Sequence, residues 1–256
     1  MKNILNKIEF HYTYIILAIS FILTGYFSNL IIFTSIILFH ELGHFTLAKI
    51  YNLNPEKIII YPFGGITKLN HLINTKIYKE LLTAISGIIF QFIYFFIITV
   101  LYKNNIIREY ILNIFTNYHY SILIFNLLPI HPLDGSKILN LILSKFIPYK
   151  LANKLNIIIS VITIIIIIKI NYYKFNYTTI LIITIIIDNL IKYYKNINYT
   201  FNKFLLERYL YKIKLNKTKK IKKLDYMYKD KYHIIKQNNH YLTEKQVLIN
   251  RFKGKI

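Results

Sequence analysis

The stretch Phe39-His40-Glu41-Leu42-Gly43-His44-Phe45 lies inside an apolar run from Leu30 to Ile50 and decides how the sequence folds. Residues four apart lie on one face of a helix, so His40 and His44 project side by side. Two neutral imidazoles at that spacing can bind one zinc ion, and Glu41 lies beside them as a base for a water molecule. At the centre of a bilayer each such polar group costs about 2.5–3.5 kcal/mol. The stretch therefore predicts a metal site on a buried helix.

The residues before the histidines are almost all apolar. Between Ile31 and Phe39 only Thr34 and Ser35 are polar. A soluble zinc protease would carry the same motif on an amphipathic helix with a polar face. This helix is therefore expected to be buried on all sides or to lie in lipid, and the apolar flanks favour a metal site over a chance match.

The overall composition is that expected of a membrane protein. Of the 256 residues, 55% are hydrophobic, and the mean hydropathy is +0.39. This apolar share exceeds the usual share in soluble domains. The chain contains no Cys, which excludes disulfide bonds and thiolate zinc sites. Any Zn²⁺ must then be held by His and carboxylate ligands.

The positive charge is concentrated at the end of the chain. The formal net charge is +22, and residues 191–256 hold 18 Lys and Arg against 4 Asp and Glu, a net +14. A basic tail of this kind can bind nucleic acid or anionic lipid. Its position after a predicted membrane span favours lipid contact and retention in the cytoplasm. Because no nucleic-acid fold signature is visible, no nucleic-acid partner is expected.

The hydropathy pattern predicts an α-helical membrane protein with about six transmembrane helices. The apolar runs are at about residues 12–27, 30–50, 81–101, 120–146, 155–170 and 177–191. A polar loop is expected from Tyr102 to Tyr118. The distribution of Lys and Arg places both termini in the cytoplasm. We expect residues 1–195 to form the membrane domain and residues 196–256 a basic cytoplasmic tail.

A β-hairpin is predicted directly after the second span. Residues 57–61 and 66–69 are rich in β-branched and apolar side chains, and Pro62-Phe63-Gly64-Gly65 separates them as a turn. Beside a metal site, such a hairpin can offer an edge strand to an extended peptide. A plain surface hairpin fits the same residues equally well.

The fourth span is interrupted by Asn126-Leu127-Leu128-Pro129-Ile130-His131-Pro132-Leu133-Asp134-Gly135. Two prolines three residues apart break helix hydrogen bonding twice. Non-helical backbone at membrane depth is tolerated where it is buried in protein or lines a wet cavity. Catalytic zinc takes a third protein ligand, and Asp134, the acidic residue of this broken span, is the best candidate. His131 is a weaker rival, and His11, His71 and His119 are expected to be interfacial or loop residues.

These two motifs together resemble those of the site-2 protease family of intramembrane zinc metalloproteases, and especially its bacterial sporulation members. The resemblance covers residues 1–210. It implies that His40, His44 and Asp134 bind Zn²⁺ and that Glu41 is the catalytic base. It also implies that Asn126, Gly64 and Gly65 contact the substrate. One departure is Ser86-Gly87-Ile88-Ile89-Phe90-Gln91, where the family often has a small-Gly-Pro-x-x-Asn pattern.

The same resemblance implies a substrate and partners. The substrate would be a membrane-tethered precursor, specifically a sporulation pro-sigma factor, cut within or near the bilayer. Small regulatory membrane proteins would control its entry. The tail resembles, weakly, a truncated CBS region. Two functions from other classes fit a cluster of ionisable residues at membrane depth: a metal or ion transporter, and a non-catalytic membrane scaffold.

Overall fold

The computed structural model describes residues 7–62, 64–170, 177–211, 213, 215, 217–237 and 240–253. Phe63, in the predicted turn, and the last three residues of the predicted tail lie outside these ranges. The chain divides into two compact units. Unit 1 comprises residues 1–71 and 82–126, and unit 2 comprises residues 72–81 and 127–256.

Unit 1 is built from helices and a small sheet. Its elements are β1 (Ile8–Phe10), α1 (Tyr12–Leu23), α2 (Phe27–Ile50), β2 (Pro55–Tyr61), β3 (Gly64–Leu69), most of α3 (Ile77–Lys103) and α4 (Glu109–Leu127). The core lies around α2, where Ile36, Ile37 and Phe45 pack with Phe115 of α4. About half of α2 is buried in the protein, while Ile31 and Phe39 on its other side are exposed, as expected of an apolar helix that also faces lipid.

The sheet of unit 1 has the strand order β1-β2-β3. Strands β2 and β3 are antiparallel, with Ile58 opposite Thr67 and Ile60 opposite Gly65. The β-branched and aromatic side chains of residues 58–61 favour the extended backbone of a strand. Strand β1 pairs in parallel with β2. The sequence did not indicate β1, because three residues are too few to show an alternating pattern.

Unit 2 holds the broken helix and the end of the chain. After the loop at residues 128–133 its elements are α5 (Asp134–Phe146), α6 (Tyr149–Ile170), α7 (Tyr177–Leu210), β4 (Thr218–Ile221), a 3-10 turn at Leu224–Tyr226, β5 (Tyr232–Gln237), β6 (His240–Thr243) and α8 (Glu244–Lys253). The helix break lies at the predicted prolines. Gly135 is needed at the start of α5, because a Cβ there would meet the carbonyl oxygens of Leu127 and Leu128.

Polar side chains of α6 stabilise the loop between α4 and α5. The Ser160 hydroxyl donates to the Pro129 carbonyl oxygen at 3.1 Å, and the His131 amide donates to the Ser160 hydroxyl oxygen at 3.2 Å. One turn earlier, the Asn156 amide donates to the Ser136 hydroxyl at 2.8 Å. Two polar backbone groups of the loop are therefore bonded to α6, which is how protein accommodates non-helical backbone at membrane depth.

Among the helices that the structure describes, α2, α3 and α6 are long and apolar enough to cross a bilayer. Helix α1 is apolar but has only 12 residues, short of the roughly 20 that span the hydrocarbon core. Large apolar side chains on the long helices are exposed, among them Phe92, Phe96 and Ile162. Such surfaces require lipid, so the chain is an integral membrane protein. Its six spans and its orientation stay predictions.

One predicted segment and the predicted place of one histidine differ from the structure. The expected polar loop from Tyr102 to Tyr118 is wrong from Glu109 onwards, where α4 begins. Its polar residues face one side of a helix, while Phe115 and His119 are buried on the other. His119 was expected at an interface or in a loop, but its side chain is inaccessible to solvent.

The described residues after α7 form a small folded module. Strands β4 and β5 are parallel, β5 and β6 are antiparallel, and α8 packs against β5. Its core contains Phe204, Leu205, Met227 and Leu248. This core was not predicted from the sequence, because the segment's composition is dominated by Lys. That the module is a truncated CBS region stays a prediction.

A buried guanidinium holds this module to the end of α7. Arg208 donates to the carbonyl oxygens of Tyr228 and Lys229 at 3.1 and 2.6 Å, and to Asn74 Oδ1 at 2.6 Å. It also forms an ion pair with Glu244 at 3.3 Å. Burial lowers the pKa of Arg208, and the Glu244 carboxylate opposes this shift. A cation buried with this many acceptors makes the module's packing depend on one side chain.

We predict that Arg208→Met loosens the C-terminal module. The substitution leaves the Glu244 carboxylate and several carbonyl groups buried without their donor, at a cost of about 3–5 kcal/mol. Limited proteolysis of the solubilised protein should then cut within residues 211–256 much faster than in wild type. Arg251→Met is the matched control, because Arg251 is exposed and bonds only Asn202, at 3.1 Å, among the described contacts. Equal cleavage rates for the two variants would contradict this account.

Candidate metal centre

Helix α2 brings three potential ligands together inside unit 1. His40, Glu41 and His44 are all buried, and one ligand atom from each lies within 4.8 Å of the others. The Nε2 atoms of His40 and His44 are 3.1 Å apart. Two nitrogens bound at about 2.0–2.1 Å to one tetrahedral zinc would be about 3.3 Å apart. The helical spacing thus gives nearly the separation that a shared ion requires.

Hydrogen bonds on the far side of each ring fix where the lone pairs point. His44 Nδ1 lies 2.7 Å from the carbonyl oxygen of Thr83, which can only accept, so Nδ1 carries the proton. His40 Nδ1 lies 3.0 Å from Gln91 Oε1. Both Nε2 atoms are then acceptors directed at the same point. Two imidazole nitrogens that converge in this way can share one cation, which is the arrangement of a metal site.

Gly87 on α3 keeps the space beside the two rings open. A Cβ at this position would meet Nε2 of His44 and would lie 2.7 Å from Nε2 of His40. Gly43, on α2 itself, allows the close approach of the two helices, because a Cβ there would lie 2.5 Å from the Ser86 carbonyl oxygen. The residues present therefore fit a metal ion: the ligands converge, and the space next to them would be filled by one methyl group.

The Glu41 carboxylate points to the sheet of unit 1. The Thr67 hydroxyl donates to Glu41 Oε2 at 2.7 Å. Gly65 packs directly on the same side chain, since a Cβ on Gly65 would meet Glu41 Cγ and lie 2.8 Å from Cδ. Strand β3 thus touches the candidate base over two residues. The sequence predicted Gly65 as a substrate contact, and its contact with Glu41 was not anticipated.

Gln91 is a site residue whose role the sequence left unassigned. Its side chain is completely inaccessible to solvent. Its Nε2 donates to the His119 carbonyl oxygen at 2.9 Å, and this bond fixes the amide so that Oε1 faces His40. A second bond of this kind orients a metal-binding imidazole and raises its basicity. The sequence feature that could have identified this role is that Gln91 is a single polar residue in an apolar stretch, at the position where the family pattern has Asn.

The remaining predicted residues lie elsewhere in the chain. Asp134 is the first residue of α5 in unit 2, is buried, and pairs with Lys137 at 2.9 Å. Asn126 is half-buried near the end of α4. Gly64 begins β3 with φ +152°, a backbone conformation that L side chains rarely adopt. The roles of Asp134 as a ligand and of Asn126, Gly64 and Gly65 in substrate binding stay predictions.

Comparison with known proteins agrees with this geometry. Residues 28–107 match Peptidase family M50. The chain is 34% identical over 155 residues to Stage IV sporulation protein FB of Bacillus subtilis (strain 168), covering 60% of this chain and 54% of that protein. It is 32% identical over 161 residues to a zinc metalloprotease of Methanocaldococcus jannaschii, covering 58% and 46%. The chain thus spans about half the length of the curated relatives it matches.

A solved structure is similar over most of its length. It is the site-2 protease from Methanocaldococcus jannaschii, with a TM-score of 0.58 and 26% sequence identity, covering 72% of this chain and 89% of that one. The matched family region contains His40, Glu41 and His44 as well as Gly87 and Gln91. A zinc ion therefore fits this site for three reasons: the ligand atoms converge, Gly87 leaves space beside them, and the chain is similar to zinc metalloproteases.

We predict that Gly87→Ala abolishes most zinc binding. Purified wild-type protein should hold about one zinc ion per chain. The added methyl group lies against both Nε2 atoms, while Ala favours the helix more than Gly does, so loss of zinc would not reflect a weaker helix. Metal analysis after gel filtration measures the ratio. Ser86→Ala, at the neighbouring buried position, should keep its zinc. If Gly87→Ala binds as much zinc as wild type, the zinc site is not beside His40 and His44.

Proposed function

We propose that this chain, whose residues 28–107 match Peptidase family M50, is a zinc-dependent endopeptidase that cleaves a membrane-associated protein within or near the bilayer. One observation carries the proposal: the Nε2 atoms of two buried histidines converge, and a buried glutamate follows the first of them. The same cluster does not favour a transporter, because its side chains are locked by bonds to α3 and β3 rather than arranged along a path.

The chain's own groups divide the work of peptide hydrolysis. Zinc, when bound, supplies Lewis acidity that acidifies water and polarises a carbonyl group. Glu41 then takes a proton from the attacking water and delivers it to the leaving amine nitrogen, so the proton count balances. His40 and His44 would bind the metal through Nε2, since their Nδ1 atoms are engaged on the far side by Gln91 and Thr83. All three residues are buried, which limits the access of bulk water to the site.

Asp134 is proposed as the third zinc ligand. Its carboxylate is buried at the first turn of α5, and that turn follows a non-helical loop that α6 holds in place. A catalytic zinc site takes three protein ligands, and without Cys a carboxylate is the expected partner of two histidines. The Lys137 ammonium lies 2.9 Å from this carboxylate.

An extended segment of a membrane-tethered precursor is the proposed substrate. Peptide bonds in a helix have their carbonyl groups engaged, so the substrate must unwind before attack. Strand β3 lies at one edge of its three-stranded sheet and touches Glu41, and an unwound strand can pair with such an edge. Gly64 and Gly65 would let the backbones approach, and Asn126 would bind near the scissile bond.

The similarity to a sporulation protein narrows the proposed substrate to a pro-sigma factor. The relative is 34% identical over 155 residues. We further propose that both termini face the cytoplasm, where a transcription factor's pro-segment would reach the membrane. The basic C-terminal module would stay on that side by contact with anionic lipid. Small membrane proteins that block substrate entry are the proposed regulators.

We predict that Glu41→Gln yields a folded, zinc-loaded protein that does not cleave. Glutamine keeps the size and polarity of the side chain but cannot accept the proton, so the rate should fall at least about 10²-fold. The assay is co-expression with a membrane-tethered pro-sigma factor from the same genome, read by immunoblot. Glu56→Gln, at an exposed position near the start of β2, is the control and should cleave normally.

Two results would overturn different parts of the proposal. Near-normal cleavage by Glu41→Gln would remove Glu41 as the base. If the wild-type protein leaves the sigma precursor intact but cuts another membrane protein, the specific substrate is wrong and the endopeptidase assignment stands.

A further inference from the structure

We propose that Thr67 is a positioning residue for the catalytic base, so that strand β3 forms part of the catalytic apparatus and does more than bind substrate. The inference rests on the proposed function, because it concerns how Glu41 is held for proton transfer. Thr67 lies 26 residues after Glu41 in the sequence, and its Oγ1 donates to Glu41 Oε2 at 2.7 Å. This is the distance of a hydrogen bond to a charged acceptor.

The backbone register of β3 directs Thr67 to the glutamate. Successive side chains of a strand point to opposite faces. Ile66 and Lys68 are exposed, whereas Gly65, Thr67 and Leu69 are partly buried, so the second set faces the protein. Gly65 and Thr67 are therefore neighbours on one face, and both contact the Glu41 side chain. Gly65 supplies the space and Thr67 supplies the hydrogen bond.

The Thr67 hydroxyl makes a bond that packing alone does not require. Valine has nearly the same shape as threonine and would fit a strand position that faces apolar helix α2. Threonine is stiff at χ1, so its hydroxyl is held in one direction by the backbone. The single hydroxyl hydrogen is shared unequally: the Glu41 carbonyl oxygen is 3.3 Å away, and the carboxylate is nearer at 2.7 Å.

The bond has a chemical consequence for the base. It engages Oε2 and fixes the plane of the carboxylate, which assigns proton transfer to Oε1. A general base must lie within hydrogen-bond reach of the proton that it takes, and small errors in its placement lower the rate steeply. Without the hydroxyl, Glu41 can rotate about its side-chain torsions, and fewer enzyme molecules hold the base in the reactive geometry.

The test compares Thr67→Val with Thr67→Ser in the cleavage assay on purified, zinc-loaded protein. Thr67→Val should lower kcat about 10-fold or more and leave KM within about twofold, because the base acts in the transition state and not in substrate binding. Thr67→Ser keeps the hydroxyl and should restore most of kcat. Zinc content should equal that of wild type in both. Thr46→Val is the control, since Thr46 bonds the Gly43 carbonyl oxygen at 2.9 Å on the same helix.

A double variant separates positioning from general structural support. In Glu41→Gln the base is already lost, so adding Thr67→Val should lower the residual rate no further. A raised KM with unchanged kcat, a loss of zinc, or an additive effect in the double variant would each overturn the inference. Wild-type protein that is zinc-loaded but cleaves no membrane substrate would instead reject the proposed function, so the two failures are distinguishable.

Discussion

The site depends on the convergence of two imidazole nitrogens that the fold of α2 against α3 brings to one point. The Nε2 atoms of His40 and His44 are 3.1 Å apart, and bonds to Thr83 and Gln91 on α3 leave both as acceptors. A cation that binds both nitrogens adds its binding free energy to the stability of the folded site. The packing of α2 against α3 is therefore linked to metal binding. Gly43 lets the two helices approach, and Gly87 leaves space beside both Nε2 atoms.

Helix α2 lies between two elements that act on different groups. Helix α3 supplies the acceptors that orient the histidines, and strand β3 supplies the hydroxyl that holds the glutamate. An apolar helix with three adjacent polar groups can be buried only if each group finds a partner. Hydrogen bonds from α3 and β3 thus offset the free-energy cost of burying the three polar side chains. The same bonds orient the histidines and the glutamate for their roles.

The motif and the helix break could be predicted because their signals are local. The spacing of His40 and His44, and the two prolines before Asp134, need no knowledge of distant residues. The partners could not: Gln91 and Thr67 are ordinary polar residues until the fold brings them to α2. Strand β1 is too short to show a pattern, and the core around Met227 was masked by the Lys-rich composition of the C-terminal module.

Zinc-edge X-ray absorption of the purified, detergent-solubilised protein tests the central claim most directly. The account predicts two imidazole nitrogens at about 2.0–2.1 Å from the zinc, with the other ligands being oxygen atoms. His44→Ala should remove the signal of one imidazole or the metal itself. A spectrum of bound zinc without imidazole scattering, or one unchanged by His44→Ala, would contradict the account.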